Sequence, residues 1–167
     1  MKRPWNRTNS SVYSLVTHDV KNQLNMNICT YVSVVNMNPR SYSIAIDYQT
    51  KTYDNLINNS NKVVLQALST NNIKLIKKLG KQSGKDINKE IFLKKNNYLT
   101  EWKNHIVLKN TCFVIELEII NKMIKLSDHC LFLFKVKSFK NIDTDFLKTN
   151  DLIESKIILW QLTTTKY

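Results

Sequence analysis

The sequence predicts a mainly β fold, an antiparallel barrel with helices inserted between strands. Three observations carry this. Most segments alternate apolar and polar residues or are rich in β-branched residues. Helical spacing is confined to short stretches. The element order is β-β-β-α-β-α-…-β-β, which does not alternate strand and helix as a doubly wound sheet does, whereas a closed or partly open barrel with helical excursions accommodates it. The chain has 167 residues and is 43% hydrophobic and 10% aromatic. That is enough for one domain over 1–167 with a real core.

Residues 12–18, "VYSLVTH", read as the first strand, and "DVKNQ" as a polar connection. "LNMNICTYVSVV", 24–35, reads as one long strand, followed by a turn around Pro39. "SYSIAIDY" is the next strand, with Tyr42, Ile44 and Ile46 on one face. "TKTYDNLINN" reads as a short helix with Thr50 or Thr52 as N-cap and Leu56 and Ile57 facing inward. "KVVLQAL" is a strand and "TNNIKLIKKLG" a second helix, stopped by Gly80 in a left-handed C-cap. Residues 85–104 read as irregular, with a helical turn from Ile91 to Lys95. "CFVIELEII" (112–120) and "DHCLFLFKVKSF" (128–139) are strands, and "NKMIKLS" between them continues a hairpin. Residues 143–156 are mixed, and "IILWQL" ends the pattern as a strand.

Composition narrows the function. The net charge of +12 invites a nucleic-acid partner. The lysines are spread along the chain, however, and the excess of Asn, Ile and Lys with only two Gly and two Pro fits coding bias. Aromatic residues are not interleaved with the lysines as stacking platforms are, so nucleic-acid binding is disfavoured. No apolar run is long enough to cross a bilayer. The polar start "MKRPWNRTNSSVYS" lacks the apolar core of a signal peptide, so a cytoplasmic setting is expected. Cys29, Cys112 and Cys130 are far apart in sequence, which indicates neither zinc nor a disulfide framework. Cys29 and Cys130 lie in apolar segments and read as packing residues. His18, His105 and His129 have no metal-ligand spacing.

Two stretches carry chemistry. "LGKQSGKDINK", 79–89, holds both glycines and suggests a phosphate loop. Only three residues separate Gly80 from Gly84, an acid follows Lys85, and a helix closes there instead of opening. Gly84 reads instead as the hinge of a turn. "QTKTYDNL" places the hydroxyls of Thr50 and Thr52 and the amine of Lys51 at a helix start, where free N–H groups and the helix dipole favour an anion. By itself this is an ordinary capped helix.

Five motifs in order resemble the flavin reductase-like proteins of the FMN-binding split-barrel class: "RPWNRTNSSVYSLVT", "NMNICTYVSVVNMNPRSYSIAI", "TKTYDNL", "LGKQSGKDINK" and "SDHCLFLFKVKSF". They run from Arg3 to at least Val136. The resemblance implies an antiparallel split barrel of Greek-key type and a homodimer with FMN near the subunit seam. It implies that Asn25 and Thr30 face the flavin, that Tyr31 stands by the ring, and that Thr52, with Lys51 nearby, holds the phosphate. It implies that Lys89 neutralises phosphate or reduced-ring charge, and that His129 is a catalytic and flavin-contacting residue. The activity it implies is hydride transfer from NADH or NADPH to flavin, with reduced flavin passed to an acceptor protein. The chain has no G-x-G-x-x-G, so a nicotinamide cofactor would bind over the flavin in an open cleft. Two other readings stand beside it: a non-catalytic flavin-binding or electron-carrier module of the same fold, and a basic nucleic-acid-binding β-barrel.

Overall fold

A computed structural model describes residues 8–59 and 62–158 of the protein. The N-terminal part of the first motif and most of the expected last strand lie outside those residues. Ile157 and Ile158, its first two positions, are not in a strand.

Among the described residues nine strands form: β1 (Tyr13–His18), β2 (Leu24–Met26), β3 (Val32–Met37), β4 (Arg40–Asp47), β5 (Lys62–Leu68), β6 (Leu99–Trp102), β7 (His105–Leu108), β8 (Thr111–Lys125) and β9 (His129–Asn141). Seven make one antiparallel sheet in the order β2-β1-β5-β8-β9-β4-β3. The end strands β2 and β3 are consecutive in the chain, joined by residues 27–31. In that joint Cys29 exchanges two backbone hydrogen bonds with Tyr13, both 2.9 Å, and Tyr31 O accepts from Ala45 N at 3.1 Å. The joint therefore bonds β1 on one side and β4 on the other, and closes the sheet into a barrel. The long strand expected over 24–35 is broken here because the chain changes partner. Asn27 marks the break: its Oδ1 accepts from Leu15 N at 3.0 Å, in place of a backbone acceptor.

The sheet is buried on two faces. Leu15, Ile44, Ile46, Leu65, Phe132 and Phe134 fill the barrel interior. Val16, Met26, Val64 and Val107 belong to a second core outside it, with Leu75, Leu79 and Leu93 from the helices. Neighbours such as Leu15 and Val16 point to opposite faces. A doubly covered strand therefore reads as a continuous apolar run instead of an alternation.

Helices α1 (Lys51–Asn58), α2 (Ile76–Lys81), α3 (Lys89–Lys95) and α4 (Thr149–Glu154) are short. α1 buries Leu56, but Ile57 is exposed, contrary to expectation. The expected second helix is a 3-10 turn, Thr70–Leu75, continued by α2. Gly80 lies inside α2 and does not have positive φ, so it is not a left-handed cap. It is small because a Cβ there would sit 3.2 Å from Ile28 Cγ1. The segment expected to be irregular holds α3, capped by Asn88 Oδ1 on Ile91 N at 3.1 Å, and the first strand of the β6–β7 hairpin. The β8–β9 hairpin extends through the connecting residues as expected, with Leu126 N donating to His129 O at 2.8 Å. Cys29, Cys112 and Cys130 are free and buried. Burial pushes the Cys29 thiol up to about 12 and the Cys112 thiol to about 11, which suits packing rather than nucleophilic roles.

Candidate functional site

α1 begins at one end of the barrel. Thr50 is its N-cap: Thr50 Oγ1 accepts from Tyr53 N at 3.2 Å and donates to Asp47 O at 2.8 Å. The cap satisfies the third helical N–H. The N–H groups of Lys51 and Thr52 come before any intrahelical acceptor, at the positive end of the helix dipole. Lys51 Nζ lies 3.4 Å from Asp19 Oδ2. The other carboxylate oxygen of Asp19 accepts from Lys21 N and Gln23 N, both 2.9 Å. The hydrogen bond from Gln23, with those from Lys21 and Lys51, holds the Asp19 carboxyl below its ordinary value.

Behind this helix start is a buried polar cluster. Asn25 Nδ2 donates to Thr52 Oγ1 at 3.1 Å and, more weakly, to Thr17 Oγ1 at 3.5 Å. Asn55 Nδ2 donates to Thr17 Oγ1 at 3.0 Å. Asn25 is 4% exposed and Thr52 1%. The structure thus brings together Asn25, Thr52 and Lys51, three of the residues singled out in the sequence. It points the first two at each other, where they fix α1 to β1 and β2.

The turn from Asp47 to Thr50 links this end to a second group. Asp47 is paired across the ladder with His129. The His129 ring centroid is 5.7 Å from that of Tyr31, with the planes tilted by 55°. His129 Nδ1 is 2.9 Å from Asp128 Oδ1. An ionised carboxylate only accepts, so Nδ1 carries the proton and Nε2 is the ring nitrogen left for other partners. That hydrogen bond holds the Asp128 carboxyl below its ordinary value. Tyr31 is 66% exposed, and Thr30 before it is half-buried. Tyr48 flanks the group, its hydroxyl donating to Leu126 O at 2.9 Å.

Lys89 is placed differently from expectation. Its ammonium is buried and donates to Met26 O at 3.0 Å and Leu79 O at 2.6 Å. Burial lowers its pKa to about 8, so the charged form still prevails at neutral pH. The 82–88 turn before it is built on Ser83, whose carbonyl accepts from Asp86 N and Ile87 N. Gly84 in that turn lies against the site. A Cβ at Gly84 would fall deep inside van der Waals contact with Asn25 Oδ1 and 3.1 Å from Lys51 Cβ. Lys85 Nζ meets Asp54 Oδ2 of α1 at 3.1 Å.

Sequence reading missed Thr17, Asp19 and Asn55, which are polar residues in segments read as ordinary strand, connection and helix. No local signal marks them, because their burial is set by packing between distant segments. A cavity of about 350 Å³ lined by Ile73, Lys74, Lys77, Ser155 and Ile157 shares no residue with this group. Among the described residues no cluster of ligating side chains could hold a metal ion, and no helix is long and apolar enough to cross a membrane.

Residues 5–153 match the flavin reductase like domain. The chain belongs to the flavin reductase-like family. Solved structures of this shape agree. The FMN-binding protein of Thermus thermophilus has a TM-score of 0.71 at 15% identity, over 84% of this chain and 75% of its own. The flavoredoxin of Desulfovibrio vulgaris (Miyazaki F) has 0.68 at 19%, over 85% and 76%. The styrene monooxygenase flavin reductase of Pseudomonas putida S12 has 0.67 at 11%, over 80% and 82%. At these identities the likeness establishes the fold, which is the flavin reductase-like split barrel. No functionally curated protein matches the chain in sequence.

Proposed function

We propose that this flavin reductase-like protein binds FMN and passes hydride to it from NADH or NADPH. The observation that carries the reading is the pairing of an anion-ready helix start with an exposed aromatic ring set against a half-buried imidazole, joined by the Asp47–Thr50 turn. The donor set fits the group. The N–H group of Lys51 and the Lys51 ammonium suit a phosphate dianion. The exposed Tyr31 ring offers a stacking face, and His129 Nε2 a hydrogen-bonding atom beside it.

FMN, when bound, supplies the redox chemistry. The protein's residues bind and orient. Thr30 and the joint backbone line the strand side of the ring site. Tyr31 covers a face. His129, with Nδ1 fixed by Asp128, directs Nε2 at the flavin or the nicotinamide and can hold or give a proton there. Asn25 and Thr52 set the angle of α1 from beneath, and Lys89 supports them from behind.

The same reading includes a homodimer. β3 is an end strand of the sheet, and Val34, Val35 and Met37 on it are exposed, Met37 at 71%. This apolar strand follows Tyr31 directly, so a second copy seated on it would also cover the ring site. A single domain over 1–167, a cytoplasmic setting and a flavin-dependent acceptor protein complete the proposal.

The test is anaerobic mixing of the FMN-loaded protein with NADH and with NADPH, followed at the flavin visible band. Bleaching by either donor faster than free FMN supports the oxidoreductase. Bound FMN with no reduction by either donor supports the electron-carrier module. Failure to bind FMN, with salt-dependent binding to nucleic acid, refutes the flavin reading.

A further inference from the structure

β2 is the other end strand of the sheet, and among the described residues its outward backbone groups have no neighbouring strand. The first two residues of α3 supply what is missing. Glu90 Oε2 accepts from Leu24 N at 3.0 Å, and Lys89 Nζ donates to Met26 O at 3.0 Å. These two bonds grip the backbone on either side of Asn25. The ammonium also holds Leu79 O at the end of α2. The 82–88 turn, which connects α2 to α3, is thereby drawn down on the site. Gly84 is the point of closest approach, against Asn25 Oδ1 and Lys51 Cβ, and Lys85 ties the turn to Asp54 of α1.

With Oδ1 confined by Gly84, the Asn25 amide keeps its nitrogen on Thr52 Oγ1, in the first turn of α1. A continuous set of contacts thus runs from Lys89 through β2 and Asn25 to the helix start. We propose that Lys89 is a positioning residue, not a cofactor-contacting one: by clamping Met26 O and Leu79 O it seats Gly84 against Asn25 and Lys51 and so fixes the α1 N-terminus for a phosphate monoester. This rests on the flavin reading, and concerns the phosphate end of the ligand only. The ring end, Tyr31 and His129, lies on the joint and on β9 and is not part of this chain of contacts.

FMN and riboflavin share the ring and differ in the phosphate, so their dissociation constants separate the two ends. Both are measured for the wild type, Lys89→Met, Gly84→Ala and the double variant, with a melting temperature for each. The clamp predicts that Lys89→Met loses about tenfold or more in FMN affinity while riboflavin affinity stays within about twofold. Gly84→Ala, which disturbs the seat without touching the ammonium, gives the same selective loss. The double variant is no worse than the weaker-binding single one, because both act on one contact set. A folded Lys89→Met or Gly84→Ala protein that keeps the wild-type preference for FMN overturns the positioning role, even if its melting temperature falls. Equal loss for both ligands overturns it too, since that is general loosening. Where Lys89→Met does not fold, Gly84→Ala decides. A wild type that binds neither flavin overturns the flavin reading itself, a result distinct from all of these.

Discussion

Replacing Lys89 by Met removes a buried ionisable group whose pKa burial lowers from 10.5 to about 8. The consequence for stability depends on pH. Between about 8 and 10.5 the unfolded chain holds the proton and the folded chain does not, so wild-type stability from this group rises with pH across that window. Below about 8 both states are protonated and the cost of burying the charge is present in full. A shift of roughly 2.5 units at 1.36 kcal/mol per unit gives about 3 kcal/mol. Lys89→Met does not bear this cost. It also leaves Met26 O and Leu79 O without their donor, an offset of about 1–3 kcal/mol that does not vary with pH. Urea denaturation of both proteins at half-unit steps from pH 7 to 10.5 isolates the effect, because other titrating groups cancel in the difference. The wild type should gain on the variant by about 3 kcal/mol as pH rises through the window. A constant difference would refute the depressed pKa, and a difference moving the other way would show that the fold raises the Lys89 pKa instead of lowering it.

Other substitutions test other parts. Gly84→Ala forces a Cβ onto Asn25 Oδ1 and should cost about 1–3 kcal/mol, whereas Gly80→Ala, meeting only the Ile28 side chain within a helix that favours Ala, should change the melting temperature far less. Thr50→Ala removes the N-cap acceptor for Tyr53 N and should cost about 1 kcal/mol by denaturant titration, with Thr50→Ser largely restoring it. Lys51→Ala should weaken FMN more than riboflavin in a fluorescence titration. His129→Ala should slow flavin reduction in stopped-flow mixing, while the variant still binds FMN in a fluorescence titration.

The strand-rich pattern, the helix at 51–58 and the β8–β9 hairpin were legible because each is a local consequence of residue spacing. The break at 27–31 was not, because it is set by a change of partner strand, and partners lie far away in sequence. The helical turn expected from Ile91 to Lys95 lies within α3, but the full extent of α3 and the β6–β7 hairpin were obscured by polar, lysine-rich segments whose apolar positions, Leu93, Val107 and Leu108, face a core on the outside of the barrel. The hairpin turn at Lys103, with φ of 52°, carries no Gly to announce it. At the site, sequence resemblance selected residues that do gather around α1 and the joint. It did not distinguish those that are open, Lys51, Tyr31 and His129, from those that are sealed, Asn25, Thr52 and Lys89. Burial is a property of the packed fold, and a Lys that ends on two carbonyls has the same letter as one that meets solvent.

If this barrel holds FMN at the α1 start and the Tyr31–His129 surface, retention of the flavin depends on both ends. The most direct measurement is the visible absorption spectrum of the protein after saturation with FMN and removal of free ligand, taken for the wild type and for a Lys51→Ala, Tyr31→Ala double variant. Flavin bands at about one FMN per chain are expected for the wild type, and their loss in the double variant. A wild type that retains no flavin, or a folded double variant that retains as much as the wild type, would contradict this placement of FMN.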